Sequence, residues 1–393
     1  MEYPVVKINI SELDKTDFQK TNPAVYAISW DDIQLEFLVN RKLGNAKAVI
    51  FGTGHFDRSI WGEIPYFARH SWANKLDATC IYYADPSLHL TPALSLLWCY
   101  GRNDDWYLER VAVALLKILN RLGIRVSDTL FYGSSGGGFT AIALATLLGS
   151  RATAINPQLL LENYNPNHME AFKRVCLREG EELIPERTDV VKLFQREGYC
   201  PRLRLMENTA SRQDMTAQFL PFLQEVGAAG LGMGFLRFTG YFHEGGHNGM
   251  PSTPECLEGI RADLNEDFTP PKDGTSFLRR IVGTAEGLTK NDNLIWAIER
   301  VREWADKDCV SMKIALHPEW EGKIQFAYYL TRGAKTLAKR GYVNESLCVF
   351  SNLEPGEYRI KYFLRYGELK KSYLTAPLTV TANGGTTADA AHL

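Results

Sequence analysis

Apolar and polar positions change rhythm along the chain in a way that separates three regions. Residues 3–10 alternate, and 24–29 with 33–40 read as two strands of a hairpin turning at Asp31-Asp32. From about residue 46 the runs become continuous rather than alternating. The segment 46–51 (AKAVIF) ends in Gly52-Thr53-Gly54, as a buried strand ends before a loop. A helical patch at 66–73 and a short apolar run at 80–84 follow. Residues 104–122 then carry Leu108, Val111, Leu115, Ile118, Leu119 and Leu122 at helical spacing, with Asn103 or Asp104 placed to cap them. The same order repeats: strand 129–132, helix 136–148, strand 152–155, strand 202–206, helix 216–226, strand 234–241, helix 253–264. Strands alternating with helices predict a parallel sheet with right-handed crossovers.

After residue 266 the pattern changes again. DFTPPKDG and the residue after it (267–275) form a linker, with two prolines, a glycine and little apolar content. A helix is expected at 293–305. Short strands are then predicted at 310–316, 323–330, 346–350, 358–366 and 374–380, with turn residues such as Glu354-Pro355-Gly356 between them. That spacing predicts a small Ig-like β-sandwich over 276–382. The tail, 383–393, is polar and small, and disorder is expected there. Residues 1–45 are expected to add strands to the sheet of the 46–266 domain, and 164–198 to form a cap over it.

Composition removes several classes of function. The 393 residues include 45% hydrophobic and 23% charged side chains, ordinary values for a folded protein. Lys+Arg 44 against Asp+Glu 46 leaves a net charge of −2, so nothing calls for nucleic acid. No run approaches about 18 apolar residues, so no transmembrane segment is expected. The seven cysteines are scattered singly, with no CxxC pair, which fits reduced thiols and a cytoplasmic location better than a disulfide framework or a zinc site. No metal is expected.

The chemistry concentrates in three loops. Gly133-Ser134-Ser135-Gly136-Gly137 is a G-x-S-x-G pattern between a strand and an apolar helix, the setting of a nucleophile elbow. Neither a phosphate-binding loop nor a dinucleotide fingerprint fits it, since no Lys follows and the glycine spacing is wrong. Ser135 is the candidate nucleophile. A base is expected in the glycine-rich loop after strand 234–241, where His247 is preferred to His243. The orienting acid belongs after strand 202–206; Asp214 is the first choice and Glu207, at the strand end, the second. Oxyanion donors are expected from the backbone of Gly136 and of Gly54 or His55.

With these residues in this order, 46–266 resembles the α/β-hydrolase superfamily. More narrowly, FYGSSGGGFTAIALATLLGSRATAINPQ is similar to uncharacterised bacterial proteins encoded beside capsule and surface-polysaccharide genes. The resemblance implies a serine esterase or O-acetyltransferase forming an acyl-enzyme on Ser135, acting on a glycan or small ester. No cofactor is implied beyond an acyl donor such as acetyl-CoA for a transferase. A peptidase or amidase would use the same side chains, and a non-catalytic scaffold would keep the fold without the chemistry. The oligomeric state is left open.

Overall fold

The computed structural model describes residues 3–271, 275–278, 298–316, 322–333, 335–367, 369–375 and 377–381. The chain divides into two compact units, Met1–Arg280 and Ile281–Leu393.

The first unit is built on nine strands. They are β1 (Val5–Asn9), β2 (Ala24–Trp30), β3 (Ile33–Asn40), β4 (Ala48–Gly52), β5 (Thr79–Tyr83), β8 (Thr129–Ser134), β9 (Arg151–Ile155), β10 (Arg202–Asn208) and β11 (Leu236–Tyr241). A two-residue ribbon, β6 (Gly101–Arg102) with β7 (Asp105–Trp106), stands outside the sheet. The sheet order is β1-β2-β3-β5-β4-β8-β9-β10-β11. Only β3 runs against its neighbours; every other pairing is parallel. Crossing helices are α1 (Arg58–Trp61), α2 (Tyr107–Leu122), α3 (Gly136–Leu148), α4 (Pro166–Cys176), α5 (Val190–Glu197), α6 (Leu220–Ala228) and α7 (Thr253–Asn265).

Burial follows from the continuous apolar runs. β4, β5 and β9 are buried at every residue, as strands covered on both faces must be. Helix α3 is apolar all round and buried at all its positions, wedged among β4, β8, β9, α2 and α5. On the other face Cys256, Leu257, Ile260 and Leu264 of α7 close over Val49, Phe51, Tyr82, Leu130 and Tyr132. The parallel strands therefore share one end, where β4, β8, β9, β10 and β11 all finish.

The second unit has two antiparallel sheets. One contains β12 (Ile298–Asp306), β13 (Cys309–Leu316) and β16 (Leu347–Phe350). The other contains β15 (Lys335–Val343), β14 (Gln325–Arg332), β17 (Gly356–Tyr366) and β18 (Leu369–Leu374), with β19 (Leu378–Val380) paired to β17. Val310, Met312 and Ile314 of the first sheet share a core with Phe326, Tyr328, Ile360 and Leu364 of the second, which makes a sandwich.

Several expectations need correcting. The helix expected at 293–305 is a strand over Ile298–Asp306, where the β-branched and aromatic residues pair with β13; residues 293–297 lie outside the described residues. β15 was not expected at all, because it is an exposed edge strand whose sequence, KTLAKRGYV, does not alternate cleanly. Of the expected linker 267–275, residues 272–274 lie outside the described residues; at its end the Thr275 hydroxyl donates to the Leu147 carbonyl (2.5 Å), and just beyond it Phe277 is buried with its amide donating to Glu197 Oε2 (2.5 Å). Both residues belong to the first unit. Neither Asn103 nor Asp104 caps α2; both precede β7, and the residue at the cap position is Trp106. Within 164–198, α5 is the crossover helix between β9 and β10 and packs on α3, so only the earlier part of that segment is free to cover the sheet end. The tail 383–393 lies outside the described residues.

Candidate active site

β8 ends at Ser134 and α3 begins at Gly136, so the chain reverses from strand to helix through one residue, Ser135. Ser135 has φ 54° and ψ −129°, a conformation that costs a side-chain-bearing residue on the order of 1–3 kcal/mol. The neighbours must be glycine. A Cβ on Gly133 would lie 2.0 Å from the Gly137 carbonyl oxygen, and one on Gly137 would lie 2.7 Å from the Gly52 carbonyl oxygen. The strain points the Ser135 hydroxyl out of the turn at the N-terminus of a 13-residue helix.

Two other loops converge on it. His247 Nε2 lies 2.9 Å from Ser135 Oγ, and His247 Nδ1 lies 2.9 and 2.8 Å from the two carboxylate oxygens of Asp214. Asp214 is 5% exposed and the His247 side chain is 36% exposed. Asp214 was expected in the loop before the helix, but it stands inside the helix, in a π-helical turn (Asp214–Phe219) that leads into α6. The extra residue of such a turn re-aims the side chain, and this accommodates the long connection between β10 and the acid.

The first-choice nucleophile, base and acid are thus brought together, while the second choices stand apart from the relay. His243 is exposed, and its Nδ1 accepts the Gly245 amide (3.0 Å) within its own loop. Glu207 is fully buried at the end of β10, and neither carboxyl oxygen has a hydrogen-bond partner. Burial and the nearby Asp214 carboxylate push its pKa up to about 9, so it is a neutral acid at pH 7.

For the oxyanion, Gly54 packs against the elbow. A Cβ there would be 3.1 Å from the Ser134 carbonyl oxygen, 3.4 Å from Gly137 N and 3.7 Å from Gly136 N. The Gly138 amide already donates to the Ser135 carbonyl (2.9 Å), whereas the Gly136 amide, at the first helical position, has no carbonyl within the helix to meet. The His55 side chain is exposed next to Asp57.

Three residues at this site are absent from the sequence reading. Gln158 is 3% exposed and its Nε2 donates to Ser135 Oγ at 3.4 Å; its Oε1 accepts from Trp98 Nε1 at 2.6 Å, which fixes which end of the amide faces the serine. Asn156 Nδ2 donates to the carbonyls of His247 (2.9 Å) and Gly249 (3.2 Å). Asn208 Nδ2 donates to those of His243 (2.6 Å) and Gly246 (2.7 Å), while its Oδ1 accepts the His243 amide (2.9 Å). These two asparagines, each just at the end of a strand, staple the histidine loop to the sheet. The available signal was an amide side chain at the C-terminal end of a parallel strand.

Among the described residues no group of three or more His, Cys, Asp or Glu is placed to hold a metal, and no helix is long and apolar enough to cross a membrane.

No family model matches the chain, and no curated protein matches it in sequence. Solved structures do match in shape. A capsule O-acetyltransferase of Neisseria meningitidis serogroup A aligns with 61% of this chain and 96% of its own, at 13% identity and a TM-score of 0.45. Carboxyl esterase 2 of Tuber melanosporum aligns with 60% of this chain and 82% of its own, at 12% identity and a TM-score of 0.43. Esterase Est2 of Thermogutta terrifontis aligns with 62% and 90%, at 12% identity and a TM-score of 0.39. The fold stands on the chain's own architecture, a mostly parallel nine-stranded sheet with a strand–Ser135–helix elbow and a second, antiparallel β unit. What the site does has to be argued from its own geometry.

Proposed function

We propose that this protein is a serine hydrolase or acyltransferase that forms an acyl-enzyme on Ser135, acting as an esterase or O-acetyltransferase on a carbohydrate or small ester. The observation that carries this reading is the continuous relay from a strained serine through His247 to a buried Asp214. In that relay His247 Nδ1–H donates to Asp214, which leaves Nε2 free to accept the Ser135 proton. Oγ then attacks the ester carbonyl carbon. The carbonyl oxygen becomes an oxyanion held by the backbone amides of Gly136 and the Gly54–His55 loop. Collapse breaks the ester bond, and the departing alkoxide takes the proton from His247. Water or a sugar hydroxyl then repeats the sequence on the acyl-serine, with the acyl group passing to it and the Ser135 proton restored. Gln158 Nε2 donates to Ser135 Oγ, and Trp98 fixes Gln158.

If acetyl transfer is the reaction, the acyl donor is an acetyl ester or thioester such as acetyl-CoA. The test is labelling of the purified protein with a fluorophosphonate probe. Wild type is expected to label, and Ser135→Ala and His247→Ala to lose the label. A folded wild type that hydrolyses no acetyl ester and takes no label overturns the reading in favour of a non-catalytic role.

A further inference from the structure

The relay leaves one charged group at the same sheet end unexplained. Arg69 is half-buried, and its backbone is in the left-handed region, φ 61° and ψ 18°, just before a short 3₁₀ turn at His70–Lys75. That conformation is unfavourable for a residue with a Cβ and needs surrounding structure to hold it. The guanidinium carbon lies 5.5 Å from the centre of the Trp72 ring and 5.7 Å from that of Tyr132. Nη2 donates to the Ser134 hydroxyl at 2.8 Å. Ser134 is the residue immediately before the nucleophile, and its carbonyl oxygen backs onto the Gly54 loop. Arg69 is therefore fixed, in place and in direction, one residue from the reacting serine.

What it lacks is a counter-charge. Among the described residues no carboxylate stands within ion-pair distance of Arg69, and its one hydrogen bond uses one of five N–H donors. A guanidinium is always ionised, and withdrawing it partly from water without an anion is unfavourable. Aromatic faces and a neutral hydroxyl offset only part of that. Two other half-buried arginines of this unit have such partners: Arg110 pairs with Asp31 and Asp105, and Arg187 donates to the carbonyls of Arg102 and Asn103.

We propose that Arg69 is an anion-recognising subsite: the molecule whose ester reacts at Ser135 carries a carboxylate or phosphate close to the scissile bond, and Arg69 binds it. The planar fork suits two oxygens of either group at once. Ser134 occupies one donor and leaves the others for them. The inference rests on the acyl-serine reading above and names the substrate class for it, an anionic ester.

The experiment compares three aryl acetates that differ in one ring substituent: a neutral carboxamide, a carboxylate and a phosphate monoester. Steady-state kcat and KM are measured for the full-length wild type, Arg69→Gln and Arg69→Lys, beside fluorophosphonate labelling of each. Wild type is expected to favour at least one anionic ester over the carboxamide, and which one identifies the anion. Arg69→Gln is expected to lower the ratio of anionic to neutral kcat/KM about tenfold, mainly through KM, with Arg69→Lys recovering part of it. A ratio unchanged within twofold overturns the proposal and leaves Arg69 a structural residue. So does a wild type that labels and cleaves the carboxamide but shows no preference for either anion, a result that needs no variant to fold. Absence of labelling and of all ester cleavage overturns the acyl-serine reading instead, so the two failures are told apart.

Discussion

The two ends of the nine-stranded sheet treat charge in opposite ways. At the end where the parallel strands begin, Arg204 Nε lies 2.9 and 2.7 Å from the two oxygens of Asp263, and the Thr153 hydroxyl adds a bond to that carboxylate at 2.6 Å. Arg202 and Arg237 share Glu266, and Arg151 donates to the carbonyls of Glu266, Ser127 and Leu264. A small cavity lies among these four arginines; three of them pair with Asp263 or Glu266, while Arg151 meets only backbone carbonyls and keeps a buried Nε without a partner. At the end where the strands finish, Ser135 and Asn156 hold positive φ, Glu207 is buried without a partner, and Arg69 has no counter-ion. Matched charge ties strands to α7 and serves stability. Unmatched charge and strain persist only where the surrounding fold over-determines them, and that is where chemistry is expected.

The largest effect that separates the ends comes from two Asp→Asn changes. Asp214→Asn keeps the shape but removes the charge that stabilises the imidazolium and selects its tautomer. It is expected to lower kcat by about 10³–10⁴ with little change in melting temperature. Asp263→Asn at the opposite end is expected to do the reverse, costing roughly 3 kcal/mol by stranding Arg204 while kcat/KM stays within about twofold. Steady-state kinetics and thermal melts on both proteins decide it. Comparable losses of activity in the two would erase the distinction.

A smaller effect tests the support around the serine. Gln158→Ala removes the amide that meets Ser135 Oγ, and an expected loss of about 10–100-fold should fall in kcat rather than KM. Trp98→Phe leaves Gln158 in place but frees its amide to turn, so a partial loss, near tenfold, is expected from the same assay. A change confined to KM would mean that Gln158 contacts substrate rather than orienting the serine.

How far the sequence carried this picture depends on how local each cause is. The elbow was legible because Gly133, Ser135 and Gly137 fall within five residues at a strand-to-helix change, although the Gly52 carbonyl that requires Gly137 is distant in sequence. His247 was legible from glycines around it and a strand before it. Asp214 was identified as a residue, but its setting in a π turn was not, because the register of a helix start depends on Ser211 and Gln218 packing across the loop. Arg69 and Gln158 had no local signature, and Asn156 and Asn208 only that of an amide at a strand end; each acts on a residue at least 23 positions away, which only the assembled sheet brings near. In the second unit, tyrosines 328, 358 and 362 point into the core as alternation suggests, whereas Tyr329 faces outward against Phe363 and Lys339. The strand at Ile298–Asp306 was misread as a helix because IERVREWAD spaces its apolar residues compatibly with either period, and pairing to β13 decided the matter.

The smallest effect on activity, and the sharpest on pH, belongs to Glu207. Two carboxyls, Asp214 and Glu207, lie close together at the catalytic end, and they differ in what meets them. Asp214 has the His247 ring; Glu207 has only apolar burial and the Asp214 charge, which together put its pKa at about 9. An unfolded glutamate releases its proton near 4.3, so between these values folding has to keep a proton that the unfolded chain has lost. The stability associated with that proton is full below about pH 4.3 and declines as pH rises towards about 9, by up to roughly 1.4 kcal/mol per pH unit. Glu207→Gln copies the neutral form and removes the dependence. Its melting temperature is expected to match wild type near pH 4 and exceed it by a widening margin as pH rises towards 9. Because Glu207 is already neutral at pH 7, kcat/KM there should stay within about threefold. If Glu207→Gln instead lost activity as Asp214→Asn does, the buried glutamate would be the acid that serves His247, and the partnerless carboxyl at this end would have to be counted among the reacting groups.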